Sequence, residues 1–174
     1  MAEVLTEVRI VGLIPSKNSV AIFLGNETKM FSIHVDHIVG TNIALLLRGE
    51  KRKRPLTHDL INLIFQAFTI RVTKIIINDF KDETYFARLV LQAENEIQRK
   101  IVEIDARPSD CMAIAVETKT PLHVSAKVWD NVADSSDLFE EMKQNFEEGG
   151  MVDELGDFGQ EEQGDEEDDT KERD

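Results

Sequence analysis

The sequence predicts an α+β fold in which two related halves, each a β-hairpin followed by a helix, form a mixed, mainly antiparallel sheet with helices packed on it. Three observations lead to this prediction. Segments of alternating apolar and polar residues occur in pairs joined by short turns, which is typical of antiparallel hairpins. Apolar residues at helical spacing follow each pair. The chain has 174 residues, enough for one domain with its own core.

The first half contains three strands and a helix. Alternation of apolar side chains indicates the strands, and apolar residues three and four positions apart indicate the helix. The predicted strands are 6–14, 19–24 and 28–35, and the predicted helix is 38–47. The basic run from Lys51 to Arg54 and the following Pro55 indicate a linker.

The second half repeats the pattern after one additional helix. Thr57 is a suitable N-cap for that helix. Its predicted buried face consists of Leu60, Ile61, Ile64, Phe65 and Phe68. The predicted elements that follow are strands at 71–80, 85–91 and 97–104, a helix at 109–117, a short strand at 122–124 and a small helix at 127–132.

The two halves also align with each other. An offset of 69 residues places residues 31–47 on 100–116 and aligns Asp36 with Asp105 and Ala44 with Ala113. The alignment predicts an internal duplication of a β-hairpin-α unit, with chance similarity of two such stretches as the alternative.

Charge divides the chain into a body at 1–133 and an acidic tail at 134–174. The tail holds 18 Asp and Glu against three Lys and Arg, so it carries essentially all of the net charge of −14. Apolar residues at helical spacing predict a short helix near 137–146. The remainder has too few apolar residues to offset the entropy of ordering and is predicted to be disordered.

Localisation is predicted from three features. A single cysteine, Cys111, excludes an internal disulfide and fits a reducing compartment. The N-terminus lacks the basic and apolar regions of a signal peptide. No apolar run reaches the roughly 20 residues that cross a bilayer. A cytoplasmic protein with no membrane partner is expected.

Two motifs carry most of the polar chemistry, and each one precedes a predicted helix. They are residues 54–60 (RPLTHDL) and residues 105–110 (DARPSD), with a β-hairpin between them. In this order they resemble the bifunctional nuclease domain family, over about residues 8–132. The resemblance implies an α+β fold of two related halves, cleavage of both RNA and DNA, and association as a homodimer.

The resemblance also implies the site residues. Arg54, Thr57, His58 and Asp59 match the first motif, and Asp105, Arg107, Ser109 and Asp110 match the second. The catalytic candidates are His58, Asp59, Asp105 and Asp110.

Phosphodiester hydrolysis defines roles for these residues. Asp105 and Asp110 could hold a divalent metal such as Mg²⁺. Arg107 could clamp a phosphate, with Lys53 and Arg54 as further nucleic-acid contacts. His58 could act as general base or acid.

A structural alternative is open for each of these residues. In this alternative Asp110 caps a helix and Asp105 pairs with Arg107. The helix dipole accounts for Asp59 in the first turn, and the basic run is a solvated linker.

The first half departs from the family pattern. Positions that carry Glu and Gln in relatives fall near Val39 and Thr41. This departure favours a second hypothesis, a non-catalytic binding or regulatory module of the same fold that engages a protein partner. The tail could compete with a polyanion for the basic run, which predicts an autoinhibitory tail.

Overall fold

A computed structural model describes residues 3–50, 53–94 and 98–148. It contains a mixed sheet of seven strands and five helices, so the predicted α+β class is confirmed. The strands are β1 (Leu5–Pro15), β2 (Val20–Gly25), β3 (Met30–Val35), β4 (Ile70–Lys81), β5 (Thr84–Glu94), β6 (Arg99–Ala106) and β7 (Leu122–Ser125). The helices are α1 (His37–Leu47), α2 (Thr57–Ala67), α3 (Pro108–Thr118), α4 (Ala126–Trp129) and α5 (Ser136–Glu148).

The sheet consists of two three-stranded meanders joined by β7. The strand order is β3-β2-β1-β7-β4-β5-β6, and every pair is antiparallel except β4 with β7. Each meander leads into an 11-residue helix, α1 or α3, and these two helices pack against each other. The ends of β3 and β6 therefore deliver α1 and α3 to one region of the molecule.

The helix starts give a different alignment of the two meanders from the one read in the sequence. α1 and α3 begin 71 residues apart, so Asp36, the N-cap of α1, corresponds to Arg107, the N-cap of α3. The sequence alignment that pairs Asp36 with Asp105 is thus shifted by two residues relative to the alignment of the helices. Internal duplication stays a prediction.

Apolar side chains fill both faces of β2. Val20, Ile22 and Leu24 lie in the main core, beneath α1. Gly40 lets α1 approach closely, because a Cβ at this position would lie 2.5 Å from the Cβ of Val20. On the other face Phe23 belongs to a second cluster, which α5 covers.

The predicted tail helix corresponds to α5, and it belongs to the packed structure. The ring centroids of Phe139 and Phe23 are 4.8 Å apart. Met142 packs on the same cluster. The packed chain therefore continues past residue 133. The rest of the tail, predicted to be disordered, lies outside the described residues.

The predicted buried face of α2 is wrong in part. Ile61 and Phe65 pack against the core, but Leu60, Ile64 and Phe68 are exposed. The reason is that α2 lies at the margin of the helical layer, where only one stripe of its surface meets α3 and β4.

No described helix has the length and apolar character needed to cross a membrane. The homodimer and the cytoplasmic location stay predictions.

Candidate functional site

The second motif forms the junction between β6 and α3. Asp105 lies in β6, Arg107 is the N-cap in extended conformation, and Pro108 opens the helix. Proline suits this position because it lacks the N–H that would be unpaired there and has the φ that a helix needs. Ser109 and Asp110 follow in the first turn.

The first motif forms the start of α2. Leu56, and not Thr57, is the N-cap, and it has no side-chain oxygen to offer. Asp59 compensates, because its Oδ2 accepts a hydrogen bond of 2.6 Å from the backbone N–H of Leu56. The predicted N-cap role of Thr57 is therefore wrong, and Asp59 stabilises the helix start through a direct bond as well as through the helix dipole.

His58, Arg107 and Asp110 meet in one cluster, named here the carboxylate cluster. Asp110 Oδ1 lies 3.3 Å from His58 Nε2. Arg107 donates to the same carboxylate from Nε (3.0 Å to Oδ2) and from Nη2 (3.2 Å to Oδ1). His58 and Arg107 thus bind the same carboxylate, although His58 lies 52 positions away from Asp110 in the chain.

The electrostatics of the carboxylate cluster favour the ionised form of Asp110. Partial burial opposes ionisation, but hydrogen bonds from Arg107 and His58 outweigh it and lower the pKa of Asp110. The same carboxylate raises the pKa of the Arg107 guanidinium. His58 is largely buried, with 16% of its side chain exposed. Asp110 therefore fixes the ring of His58 and the plane of Arg107 together.

Asp105 lies apart from this cluster. It is exposed on the edge strand β6, where it is registered opposite Arg88 of β5. The alternative in which Asp105 pairs with Arg107 is also wrong, because Arg107 pairs with Asp110. Asp110 is not a helix cap either, since Arg107 occupies the N-cap position.

Lys53, Arg54 and Asp59 line a different depression, named here the linker basin. It has a volume of about 570 Å³ and lies between the linker, α2 and the C-terminal ends of α1 and α3. Glu50 and Glu117 line it as well, so its charge is mixed. The first motif is therefore divided, with His58 in the carboxylate cluster and its other charged residues in the linker basin.

Comparison with known proteins agrees with the two motifs. The family model of the bifunctional nuclease domain matches residues 22–137, from β2 into α5. Uncharacterized proteins from two strains of Mycobacterium tuberculosis are 30% identical over 126 residues, which is 70% of this chain and 73% of theirs. The chain belongs to the bifunctional nuclease domain family. The resemblance read from residues 54–60 and 105–110 is confirmed.

The divalent metal predicted at Asp105 and Asp110 stays a prediction. Both oxygens of Asp110 already accept hydrogen bonds from Arg107 and His58. Within residues 3–50, 53–94 and 98–148, no group of three or more His, Cys, Asp or Glu side chains is placed to hold a metal ion.

The two departures from the family pattern fall on α1. The backbone N–H of Val39 donates to Asp36 Oδ1 at 2.9 Å, and its side chain packs against the main core. Thr41 is half-buried two residues further along the helix. Neither residue contributes to the carboxylate cluster, so these departures leave His58, Arg107 and Asp110 in place.

Cys111 follows Asp110 in α3, and its thiol is unreactive. Burial, with the nearby charges of Asp110 and Asp105, raises the pKa of its thiol to about 12. The thiolate form that reacts as a nucleophile is therefore negligible near neutral pH. This agrees with Cys111 as a small buried apolar residue.

A second depression, the junction cleft, is lined in part by Arg107. It has a volume of about 560 Å³. Its lining comes from the end of β3, the β4–β5 turn and the start of α3, and consists of Ser32–Asp36, Phe80, Glu83–Tyr85 and Arg107–Ser109. Phe80 and Tyr85 were not among the predicted site residues, because they lie in a hairpin far from both motifs along the chain.

Proposed function

We propose that this domain is a nuclease that hydrolyses phosphodiester bonds of RNA and DNA at the carboxylate cluster. The observation that carries the proposal is the contact of His58 and Arg107 with one carboxylate, that of Asp110. Membership of the bifunctional nuclease domain family supports nucleic acid as the substrate.

His58 serves as the proton acceptor in the proposed reaction. A hydrogen bond from Nε2–H to Asp110 selects the tautomer in which Nδ1 keeps its lone pair. Nδ1 takes a proton from the attacking water, or from the 2′-hydroxyl of RNA, as the oxygen adds to phosphorus. The bond from phosphorus to the leaving oxygen then breaks, and the imidazolium returns a proton to that oxygen.

Arg107 stabilises the phosphate in the proposed reaction. Its guanidinium donates two N–H groups to Asp110 and keeps three further N–H groups for a ligand. Charge grows on the phosphate oxygens as the new bond forms, and a fixed guanidinium stabilises that charge without reorganising. Asp110 acts on the reaction through His58 and Arg107, so it is a positioning residue.

Variants of the cluster test this proposal with labelled single-stranded RNA and DNA. His58→Gln should lower the cleavage rate about 100-fold or more, because general acid–base catalysis contributes that much. Arg107→Lys keeps the charge and loses the two-pronged contact with Asp110, so it should also cleave slowly. His37→Gln, at the start of α1, is the matched control and should cleave like the wild type.

Two further arms define what would contradict the proposal. Cleavage that survives His58→Gln would place the chemistry elsewhere. Because the proposed steps use only side chains, RNA cleavage should persist in EDTA, and its abolition would contradict this route. Retained binding of nucleic acid without any cleavage by the wild type would indicate the non-catalytic binding module.

A further inference from the structure

We propose that the junction cleft binds one nucleotide of a single-stranded nucleic acid, with the phosphate at Arg107 and Ser109 and the base on the ring of Phe80. This inference rests on the proposed nuclease function and adds the form of the substrate and the residues that bind it. The cleft volume of about 560 Å³ lies within the range of small-molecule sites.

The phosphate end of the cleft is the start of α3. This helix has 11 residues, and the N–H groups of its first turn point toward the cleft end of the helix. Ser109 lines the cleft with only 9% of its surface exposed. The hydroxyl group of Ser109 can donate a hydrogen bond to a phosphate oxygen.

Arg107 supplies the positive charge at the same end. Its side chain is 70% exposed, although two of its N–H groups are bound to Asp110. The remaining three N–H groups are available to a ligand, and the two bonds to Asp110 already fix the plane of the guanidinium. A phosphate bound here would lie between Ser109 and the carboxylate cluster, so binding and the proposed chemistry share Arg107.

The base end of the cleft is an aromatic pair. The rings of Phe80 and Tyr85 lie 4.3 Å apart at 34°. Tyr85 in turn packs on Phe31, whose ring centroid is 5.6 Å away, so the pair is anchored to the core. Phe80 is 40% exposed and offers a ring surface to a base. Only an unpaired, unstacked base can use such a surface, which selects single strands over duplexes.

The charges around the cleft limit it to one phosphate. Asp36 and Glu83 line the cleft beside Arg107, and a track of several phosphates would meet their carboxylates. Asp36 is held in place because it accepts the N–H of Val39. We therefore expect a weak salt dependence, with a slope near −0.7 for a single phosphate contact on a single strand.

Binding measurements on the His58→Gln background keep the probe intact and test the cleft. The probes are short fluorescein-labelled oligothymidylate and oligouridylate and a labelled DNA duplex, read by fluorescence anisotropy. Phe80→Leu keeps an apolar side chain without a ring, so it should weaken single-strand binding about tenfold. Phe80→Tyr should restore binding, and Ser109→Ala should weaken it several-fold. Duplex binding should be weaker and indifferent to Phe80→Leu.

The matched control is Phe86→Leu. Phe86 is 39% exposed on the same hairpin and is not among the residues that line the cleft. It should leave binding unchanged. Equal binding by Phe80→Leu and Phe86→Leu would overturn the proposal, and so would equal loss of single-strand and duplex binding. Thermal denaturation of each variant identifies any change that comes from unfolding.

Cleavage assays on the same variants distinguish a failure of this inference from a failure of the proposed function. If His58→Gln cleaves normally and Phe80→Leu still weakens binding, the catalytic proposal fails and the cleft stands. If His58→Gln abolishes cleavage and Phe80→Leu changes nothing, the catalytic proposal stands and the cleft fails.

Discussion

Asp110 is the residue through which the two motifs meet. It receives hydrogen bonds from His58 and Arg107, and these lower its pKa although partial burial opposes ionisation. A carboxylate whose pKa is lower in the folded state stabilises that state whenever it is ionised. Its contribution to stability is complete above the ordinary pKa of 3.8 and is lost as the pH falls through the lower folded value.

Replacement of this carboxylate should therefore have a pH-dependent cost. Asp110→Asn should lower the free energy of unfolding by about 1 kcal/mol near neutral pH, because it loses charge-assisted hydrogen bonds. The difference from the wild type should persist to about pH 4 and shrink below it. Urea denaturation across this pH range measures the effect. Asp105→Asn, at an exposed site outside the cluster, is the control, and an equal loss in both variants would contradict the prediction.

Single residues also show what the sequence could not predict about the site. The motif around residue 105 pointed to Arg107 and Asp110, which contact each other in the structure, because helix starts concentrate polar groups. Spacing alone could not show that Asp105 ends on the exposed face of an edge strand, since one step along a strand reverses the side-chain direction. The contact of His58 with Asp110 depends on how α2 packs on α3 and has no local signal.

Among the elements, the β4–β5 hairpin shapes the junction cleft. Its turn residues Asp82 and Glu83 have φ of 47° and 59°, in the left-handed region. This is the geometry of a type I′ turn, for which Gly is favoured at the second position. Glu83 therefore occupies a strained backbone position and also lines the cleft. The hairpin places Phe80 and Tyr85 on either side of this turn.

Substitution at Glu83 should separate strain from charge. Glu83→Gly removes both, so it should raise the free energy of unfolding by about 1 kcal/mol and tighten single-strand binding. Glu83→Gln removes only the charge and should tighten binding without a gain in stability. Denaturation and anisotropy on both variants measure the two effects. A stability gain in both variants, or in neither, would contradict the assignment of strain to this turn.

The elements themselves were largely predictable, because each strand or helix has its own apolar period. The 11-residue helices α1 and α3 were expected to within two residues of their ends. The buried face of α2 could not be predicted in full. The spacing of apolar residues shows which side chains share a face, but it does not show whether a neighbouring element covers that face. Phe80 and Tyr85 looked like ordinary strand residues, since only the pairing of β4 with β5 brings their rings together.

At the scale of the whole molecule, charge and packing divide the chain at different places. The acidic segment begins near residue 134, but α5 lies within it and covers Phe23 through Phe139. The segment 149–174 carries twelve acidic and two basic residues, a net of −10 out of −14. Truncation after residue 132 would therefore remove α5 and uncover the second apolar cluster, whereas truncation after Glu148 keeps α5 and removes a net charge of −10.

Truncation after Glu148 should raise the affinity for single-stranded RNA and DNA. The remaining chain carries a net charge of −4 by the same count, so it repels a polyanion less strongly. We expect an affinity gain of about threefold to tenfold at low salt that disappears at high salt, where charges more than a few ångströms apart are screened. Anisotropy titrations of the full and truncated chains over a salt series measure the gain.

Tails with neutralised charge or shuffled order distinguish repulsion from a specific contact. A chain of all 174 residues in which the twelve acids and the two bases of 149–174 are changed to Asn and Gln keeps the net charge of −4 and should match the truncated chain. A tail with the same composition in shuffled order should behave like the wild type, because repulsion depends on charge and not on sequence. An affinity unchanged by truncation at low salt would show that the tail does not oppose nucleic acid. A gain from the shuffled tail would instead indicate an ordered contact between the tail and the body.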